Sequence, residues 1–356
     1  MGHVENSEFF KGRGAQVNTY NKFLKNRYVT DHDEGIDEPL LEDTKTQLYE
    51  ENAKKIVSVS NSPDLAFMHS INPYQGCEHG CLYCYARNSH EYYGFSAGLD
   101  FERKIIVKRN AAELLESHFN QKNYAPVPIM LSGNTDCYQP IERKLKITRS
   151  LLEVFLKYKH PVSLISKNNL MLRDIDLLSE LAALDLVHVS VTLNSLNEDL
   201  RLKLEPRTVT GSSRIRLIEK LSLAGVPVRL MLAPVIPGLN SDEIPTVIKA
   251  AAEAGAQDAS YTLVRLNGSI AEIFIDWIHK AFPDRAEKVL HMIADCHGGK
   301  LNDSRWGTRM TGDGHIAQSI NQLFKISVKR FLPERTLRPF NLDIFNPQRG
   351  KQLNLF

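Results

Sequence analysis

The sequence predicts an α/β fold built on a parallel sheet. Three observations carry this. Short, nearly continuous apolar runs recur through the middle of the chain, at 127–132, 162–166, 187–193, 226–232 and 260–264. Segments of helical period lie between them, at 148–158, 173–184, 212–224 and 242–254. The chain has 356 residues, 42% hydrophobic and 24% charged, which is ordinary globular composition and enough for a large core. Apolar strands separated by helices of ten or more residues are the pattern of strands covered on both faces and joined by helical crossovers.

Taken in order, residues 1–60 are polar and acidic without a strong period. They are expected to wrap the fold or to lack regular structure. Within them, 31–43 holds seven acidic residues and no Lys or Arg. A first strand is expected at 67–71, followed by a cysteine-rich loop. With the five later runs it makes six βα units, expected over 61–267. From 268 onward, helices are expected at 270–281 and 285–294, then a Gly-rich basic tail, giving a C-terminal extension over 268–356. Folds of this kind place ligands at the carboxyl ends of their strands, and the cysteine-rich loop lies at that end.

Composition excludes several classes. No run of eighteen apolar residues is present, so neither a membrane-spanning helix nor a membrane partner is expected. The first thirteen residues hold no apolar leader, so a cytoplasmic location is expected. The net charge of +2 neither demands nor excludes nucleic acid. The basic C-terminal tail reads as a solvated face or as a surface for phosphate.

The five cysteines are Cys77, Cys81, Cys84, Cys137 and Cys296. An odd count argues against a disulfide framework. Three of them fall within eight residues, and thiolates that close repel unless a soft cation neutralises them. A structural zinc would need a fourth ligand, from His79 or His90. An iron–sulfur cubane held by three cysteines would leave one iron open to a ligand. Cys296 has no neighbouring ligand and reads as structural.

The spacing Cys77-x-x-x-Cys81-x-x-Cys84, with Tyr83 just before the last cysteine, resembles the radical S-adenosylmethionine superfamily. The resemblance implies an open partial (β/α)6 barrel of the TIM type. It also implies a 4Fe-4S cluster on Cys77, Cys81 and Cys84, and S-adenosylmethionine chelated at the open iron and cleaved to a 5′-deoxyadenosyl radical that abstracts hydrogen. Residues 70–77, 81–85, 135–142, 204–207, 233–240 and 306–310 further resemble the spore photoproduct lyase branch and its SplB-like relatives, often called DNA repair photolyases. The likeness covers about 60–330. It implies lyase or repair chemistry on nucleic acid, with electrons supplied by a flavodoxin or ferredoxin. Radical modification of RNA or peptide, and a non-catalytic zinc protein, are the alternatives.

The resemblance also implies site residues. After the second strand, Gly133, Thr135 and Asp136 stand where many members carry Gly-Gly-Glu. Gly133 would allow close backbone approach, and Asp136 would take the methionine ammonium. Ser166 and Lys167, after the third strand, would meet the methionine carboxylate or the ribose. Ser190 and Thr192 share one face of the fourth strand and would offer hydroxyls to the ribose. Arg207 would contact a carboxylate or phosphate, and Ile236 would pack on adenine. Tyr83 and Tyr85 flank Cys84 as candidates for hydrogen relay. Cys137 is a candidate hydrogen donor, although it follows Asp136 where the lyase thiol precedes the Asp. Each has a plainer reading as turn, surface or core residue, and for Cys137 that is a small buried side chain. Tyr92, Tyr93, Phe95 and Trp306 are candidates to stack on an extruded base, or core.

Overall fold

A computed structural model describes residues 12–23, 45–64, 68–333 and 336–348. Its strands are β1 (Gln47–Glu50), β2 (Val57–Val59), β3 (His69–Ile71), β4 (Tyr74–Gln75), β5 (Lys104–Val107), β6 (Ile129–Leu131), β7 (Val162–Ser166), β8 (Val187–Thr192), β9 (Val228–Val235) and β10 (Asp258–Leu263). One sheet runs β10-β9-β8-β7-β6-β3-β2. From β3 to β10 the neighbours are parallel and follow chain order, and β2 joins antiparallel to β3. Parallel strands wound in sequence, each returning through a helix, curl into an arc. The result is an open (β/α)6 barrel whose edges are β2 and β10. A smaller sheet, β1-β5-β4, stands beside it.

Strand alternation sorts the two faces of the arc. Ile71, Leu131, Leu164, Val189, Val191 and Leu230 are fully buried against the outer helices. These include Ile147–Lys157, Ile175–Ala183, Gly211–Leu223 and Ile244–Glu253. The opposite face is mixed and polar. Register brings Ser70, Met130, Ser163 and His188 into one row, and Ile165, Ser190, Arg229 and Asp258 into the next. A polar concave face needs partners, and Arg229 finds one in Asp258 at 2.6 Å.

The expected strands and helices lie within a few residues of those observed. The tail differs. Residues 314–331 form an eighteen-residue helix, Gly314–Phe331, opened by the Asp313 carboxylate accepting from Gly314 N at 2.8 Å. Ala317, Ile320 and Phe324 carry it into the main core. Flanking charge and glycine hid that helical period from the sequence. Beyond it, His188 Nε2 meets Arg338 O at 2.8 Å, and its ring lies 3.9 Å from that of Phe340. Asn346 N donates to Tyr158 O at 2.9 Å. These contacts lie at the amino ends of the strands, so 336–348 covers the bottom of the barrel. The acidic run 31–43 lies outside the described residues, as do Arg335, Arg349 and Lys351 of the basic tail. No helix among the described residues is long and apolar enough to cross a membrane.

Candidate active site

The loop after β3 carries the three clustered cysteines. Gly76 and Gly80 bend it with φ of +82° and +69°, which side chains rarely adopt. A Cβ on Gly76 would lie 2.9 Å from Lys104 O, so glycine is required there twice over. Gln139 is fully buried and ties the loop down, accepting from Glu78 N at 2.9 Å and donating to Gly76 O at 3.1 Å. Arg87, also fully buried, donates to Cys81 O at 2.9 Å and pairs with Glu102 at 2.6 Å.

The N-terminal segment completes this wall. Glu102 also accepts from Gly14 N at 3.0 Å and Ala15 N at 2.7 Å. A Cβ on Gly14 would lie 1.7 Å from Gly80 O. Leu99 N donates to Val17 O at 3.3 Å, and Asn21 donates to Glu91 O at 2.8 Å. Residues 13–21 are therefore a strap laid over the cysteine loop, the wrapping arrangement that was one of the two expectations for the polar N-terminal extension.

Cys77 and Cys81 are buried and Cys84 is half-buried. Burial pushes the Cys77 thiol well up, aided by Asp136 and the neighbouring cysteines. Cys81 is pushed up to about 12, again chiefly by burial, with Lys167 opposing. Such thiols ionise only when a cation supplies the missing charge, which fits a metal cluster. Among the described residues no three His, Cys, Asp or Glu side chains close on a single ion. His79, one expected zinc ligand, has both ring nitrogens engaged, by Asp136 at 3.3 Å and Asn168 at 3.4 Å. His90 lies fully buried between Phe95 and Phe101, at ring distances of 5.2 and 5.5 Å.

The ends of β6 and β7 meet the loop through Asp136. Its carboxylate accepts from Ser166 Oγ at 2.8 Å, Lys167 N at 3.0 Å and Tyr138 N at 2.9 Å, besides facing His79. Burial opposes its charge, but His79 and Lys167 outweigh that and hold it well below the usual carboxylate range. Thr135 is buried and donates to Tyr74 O at 2.5 Å. Gly133 packs on Ser70, and its carbonyl accepts from the Tyr85 hydroxyl. No hydrogen bond or ion pair reaches the Lys167 ammonium among the described residues. Burial works against it, yet Cys81, Glu205, Asp136 and Cys84 together raise its pKa.

Beyond β8, Glu205 and Arg214 form an ion pair in which both side chains are fully buried. Tyr83 donates its hydroxyl to Glu205. Arg214 also reaches Thr192 O at 3.1 Å and Thr208 Oγ1 at 2.6 Å. The sequence singled out Arg207 in this segment. That residue stands 3.8 Å from the Glu78 carboxylate, and its backbone N–H donates to His79 O at 3.3 Å. Among the described residues Thr192 Oγ1 and both side-chain amide atoms of Asn194 are buried without a hydrogen-bond partner. Buried polar groups seldom stay unsatisfied, so these atoms fit a polar ligand at the end of β8. Asn194 was missed in the sequence, although 190, 192 and 194 continue one alternation. Ser190 is buried lower on the same strand.

Cys137 and Ile236 are 0% exposed, the first in the main core and the second in a core shared with Leu82, Leu200 and Leu204. Neither touches solvent-filled space in this conformation. Cys296 is buried in the main core. Tyr85 and Trp306 are exposed, at 54% and 63%, as are Tyr92 and Tyr93. Phe95 is half-buried against Tyr49, at a ring distance of 5.1 Å.

Comparison with known proteins agrees with this geometry. An uncharacterised protein of Mycobacterium tuberculosis is 32% identical over 228 residues, 64% of this chain and 67% of that one. A protein of Pseudomonas phage M6 named radical SAM Nalpha-GlyT isomerase is 26% identical over 230 residues, 64% of this chain and 46% of its own. The solved structure of spore photoproduct lyase complexed with dinucleoside spore photoproduct has the same fold. It superposes with a TM-score of 0.60 at 14% identity, covering 82% of this chain and 81% of that one. The Radical SAM superfamily matches residues 71–251, half of the chain, from the last residue of the first barrel strand through the cysteine loop and the next four barrel strands. The chain belongs to the radical SAM superfamily.

Proposed function

We propose that the protein is a radical S-adenosylmethionine enzyme that removes a hydrogen atom from a nucleobase or nucleoside of a nucleic-acid substrate. The carrying observation is the arrangement at the strand ends: three clustered thiols, an unpartnered Lys167 ammonium, and the orphaned polar atoms of Thr192 and Asn194. When bound, a 4Fe-4S cluster and S-adenosylmethionine supply a 5′-deoxyadenosyl radical. Cys77, Cys81 and Cys84 hold the cluster. Lys167 neutralises the methionine carboxylate, and Asp136, whose oxygens are held by Ser166, Tyr138 N, Lys167 N and His79, contributes its charge rather than a free oxygen to the methionine ammonium. Asn194 and Thr192 take the ribose hydroxyls. Ser166 and Thr135 act by fixing the loop that carries Asp136. Tyr85 stands at the mouth, its hydroxyl on Gly133 O. Cys137 and Ile236 serve as packing and the Tyr83 hydroxyl is tied to Glu205, so among this chain's residues hydrogen return falls to Tyr85. Electrons come from a flavodoxin or ferredoxin.

The substrate class draws support from the spore photoproduct lyase likeness, whose solved complex holds a dinucleoside, and from the exposed aromatics at the mouth. The test is electron paramagnetic resonance of the anaerobically reconstituted, reduced protein. A 4Fe-4S signal that changes on adding S-adenosylmethionine, and does not change in Lys167→Ala, supports the proposal. A colourless protein carrying zinc, or a cluster signal indifferent to the cofactor, overturns it.

A further inference from the structure

Arg265 occupies the lateral opening of the barrel. The chain leaves β10 at Leu263, whose N–H donates to Met310 O at 2.9 Å. Asn267 O then accepts from Asn88 Nδ2 at 2.7 Å. Asn88 lies on the helix Arg87–His90, close behind Cys84 and Tyr85. Arg265 thus stands between the last strand and the cysteine loop. The gap between the edges β10 and β2 is spanned above it by 303–310. Arg309 Nε donates to Asp64 Oδ2 at 2.5 Å, Gly307 N donates to Asp64 Oδ1 at 2.8 Å, and Arg309 also reaches Ser62. Ser62 and Asp64 belong to the β2–β3 connection.

The nearby carboxylates are already engaged. Asp64 serves Arg309 and Gly307, while Asp303 accepts from Arg305 at 3.0 Å and Thr308 at 3.1 Å. No hydrogen bond or ion pair reaches the Arg265 guanidinium among the described residues. It is half-buried, and both burial and the charge of Arg309 weaken its hold on its proton. A cation so placed is stabilised by an anion arriving from outside. On the spanning loop Trp306 is 63% exposed, and Tyr85, close enough to act on the charge of Arg265, is 54% exposed. A free guanidinium beside exposed aromatic faces is how proteins bind single-stranded nucleic acid, with phosphate on the cation and bases on the rings.

We propose that Arg265 and Trp306 form the entry site of the barrel, the guanidinium holding a phosphodiester of a single strand and the indole stacking on an adjacent base. This rests on the nucleic-acid substrate proposed above. Exposed rings favour a nucleotide over an acidic peptide, which would use the cation alone.

The chain has two tryptophans, and Trp277 is 7% exposed in the core, so Trp306 is the reporter. Full-length protein without cluster or cofactor is titrated with oligothymidylate. Tryptophan emission and the anisotropy of a labelled oligonucleotide are both read. Binding should quench emission. Arg265→Gln should weaken it about tenfold and lower the salt slope by about one. Trp306→Phe should abolish the quench and weaken the anisotropy response. Binding without quench, and unchanged in Arg265→Gln, overturns the entry site and leaves the nucleic-acid reading standing. No binding by either signal overturns both, and equal competition by oligoglutamate overturns the phosphodiester assignment. Neither signal depends on radical chemistry, so that is tested apart.

Discussion

Replacing Glu205 by Gln removes one charge from a pair that has no access to water. Both Glu205 and Arg214 are 0% exposed. The other contacts of Arg214 are neutral: Thr192 O at 3.1 Å, Val209 O at 3.2 Å and Thr208 Oγ1 at 2.6 Å. They hold the guanidinium in place without neutralising it. Breaking a buried pair by removing one partner costs about 3–5 kcal/mol. Gln keeps the shape and one acceptor, so Glu205→Gln should lie near the lower end, about 3 kcal/mol. Urea unfolding of the cluster-free protein at pH 7 measures this directly. The double variant Glu205→Gln, Arg214→Met removes the stranded charge and should recover most of the loss. The pH dependence has a definite sign. Burial raises the Glu205 carboxyl, but Arg214 and Lys167 outweigh it and hold its pKa below the ordinary value. Its contribution is therefore full above the unfolded carboxyl pKa of about 4.3 and is lost as pH falls through the folded value. Stability of Glu205→Gln within about 0.5 kcal/mol of wild type at pH 7, as for a surface change, would mean that Arg214 is not left as a stranded buried charge.

Burial lowers His160 to about 3, with Tyr124 at 2.7 Å from Nε2 and Pro161 O at 2.9 Å from Nδ1. The unfolded chain takes up a proton below about 6.5 while the folded one does not, so between pH 7.5 and 5.0 this group should cost about 2 kcal/mol. Urea midpoints of wild type and His160→Gln should show a smaller acid loss in the variant; parallel losses would contradict it. Gly14→Ala drives a methyl into Gly80 O and should lift the strap. Alkylation of Cys81 in the cluster-free protein should then speed up several-fold, whereas an unchanged rate would mean the strap does not cover the loop. Lys167→Ala should weaken S-adenosylmethionine binding to the cluster-loaded protein about tenfold by equilibrium dialysis, the order expected for losing a charge-assisted contact. Wild-type affinity in the variant would release the carboxylate from that lysine.

The barrel was legible because its signal is local. The strand β7 is one apolar run, and the helix Ile270–Ala281 carries its own period. The cysteine loop was legible because three cysteines at fixed spacing need no tertiary context. What escaped depends on distance in sequence. Glu102 meets Gly14 eighty-eight residues away, and nothing local in either marks the contact. Arg207 and Arg214 look alike in sequence, yet one lies half-exposed over Glu78 and the other is sealed on Glu205. Cys137 sits next to Asp136, but the turn they share, closed by Gln139 N on Asp136 O at 3.3 Å, leaves the Asp136 carboxylate at the strand ends and buries Cys137 in the core. Arg265 carried no motif. Its interest comes from what surrounds it, three engaged charges and an opening.

The proposed chemistry requires Cys77, Cys81 and Cys84 to hold a cluster that cleaves S-adenosylmethionine. The most direct measurement is anaerobic. Reconstituted protein is mixed with S-adenosylmethionine and dithionite, and 5′-deoxyadenosine is quantified against Cys81→Ala under the same conditions. Wild type should form 5′-deoxyadenosine and Cys81→Ala should form none. Equal product from both, or none from wild type with a full iron and sulfide complement and a nucleic-acid substrate present, would mean that these cysteines hold no such cluster.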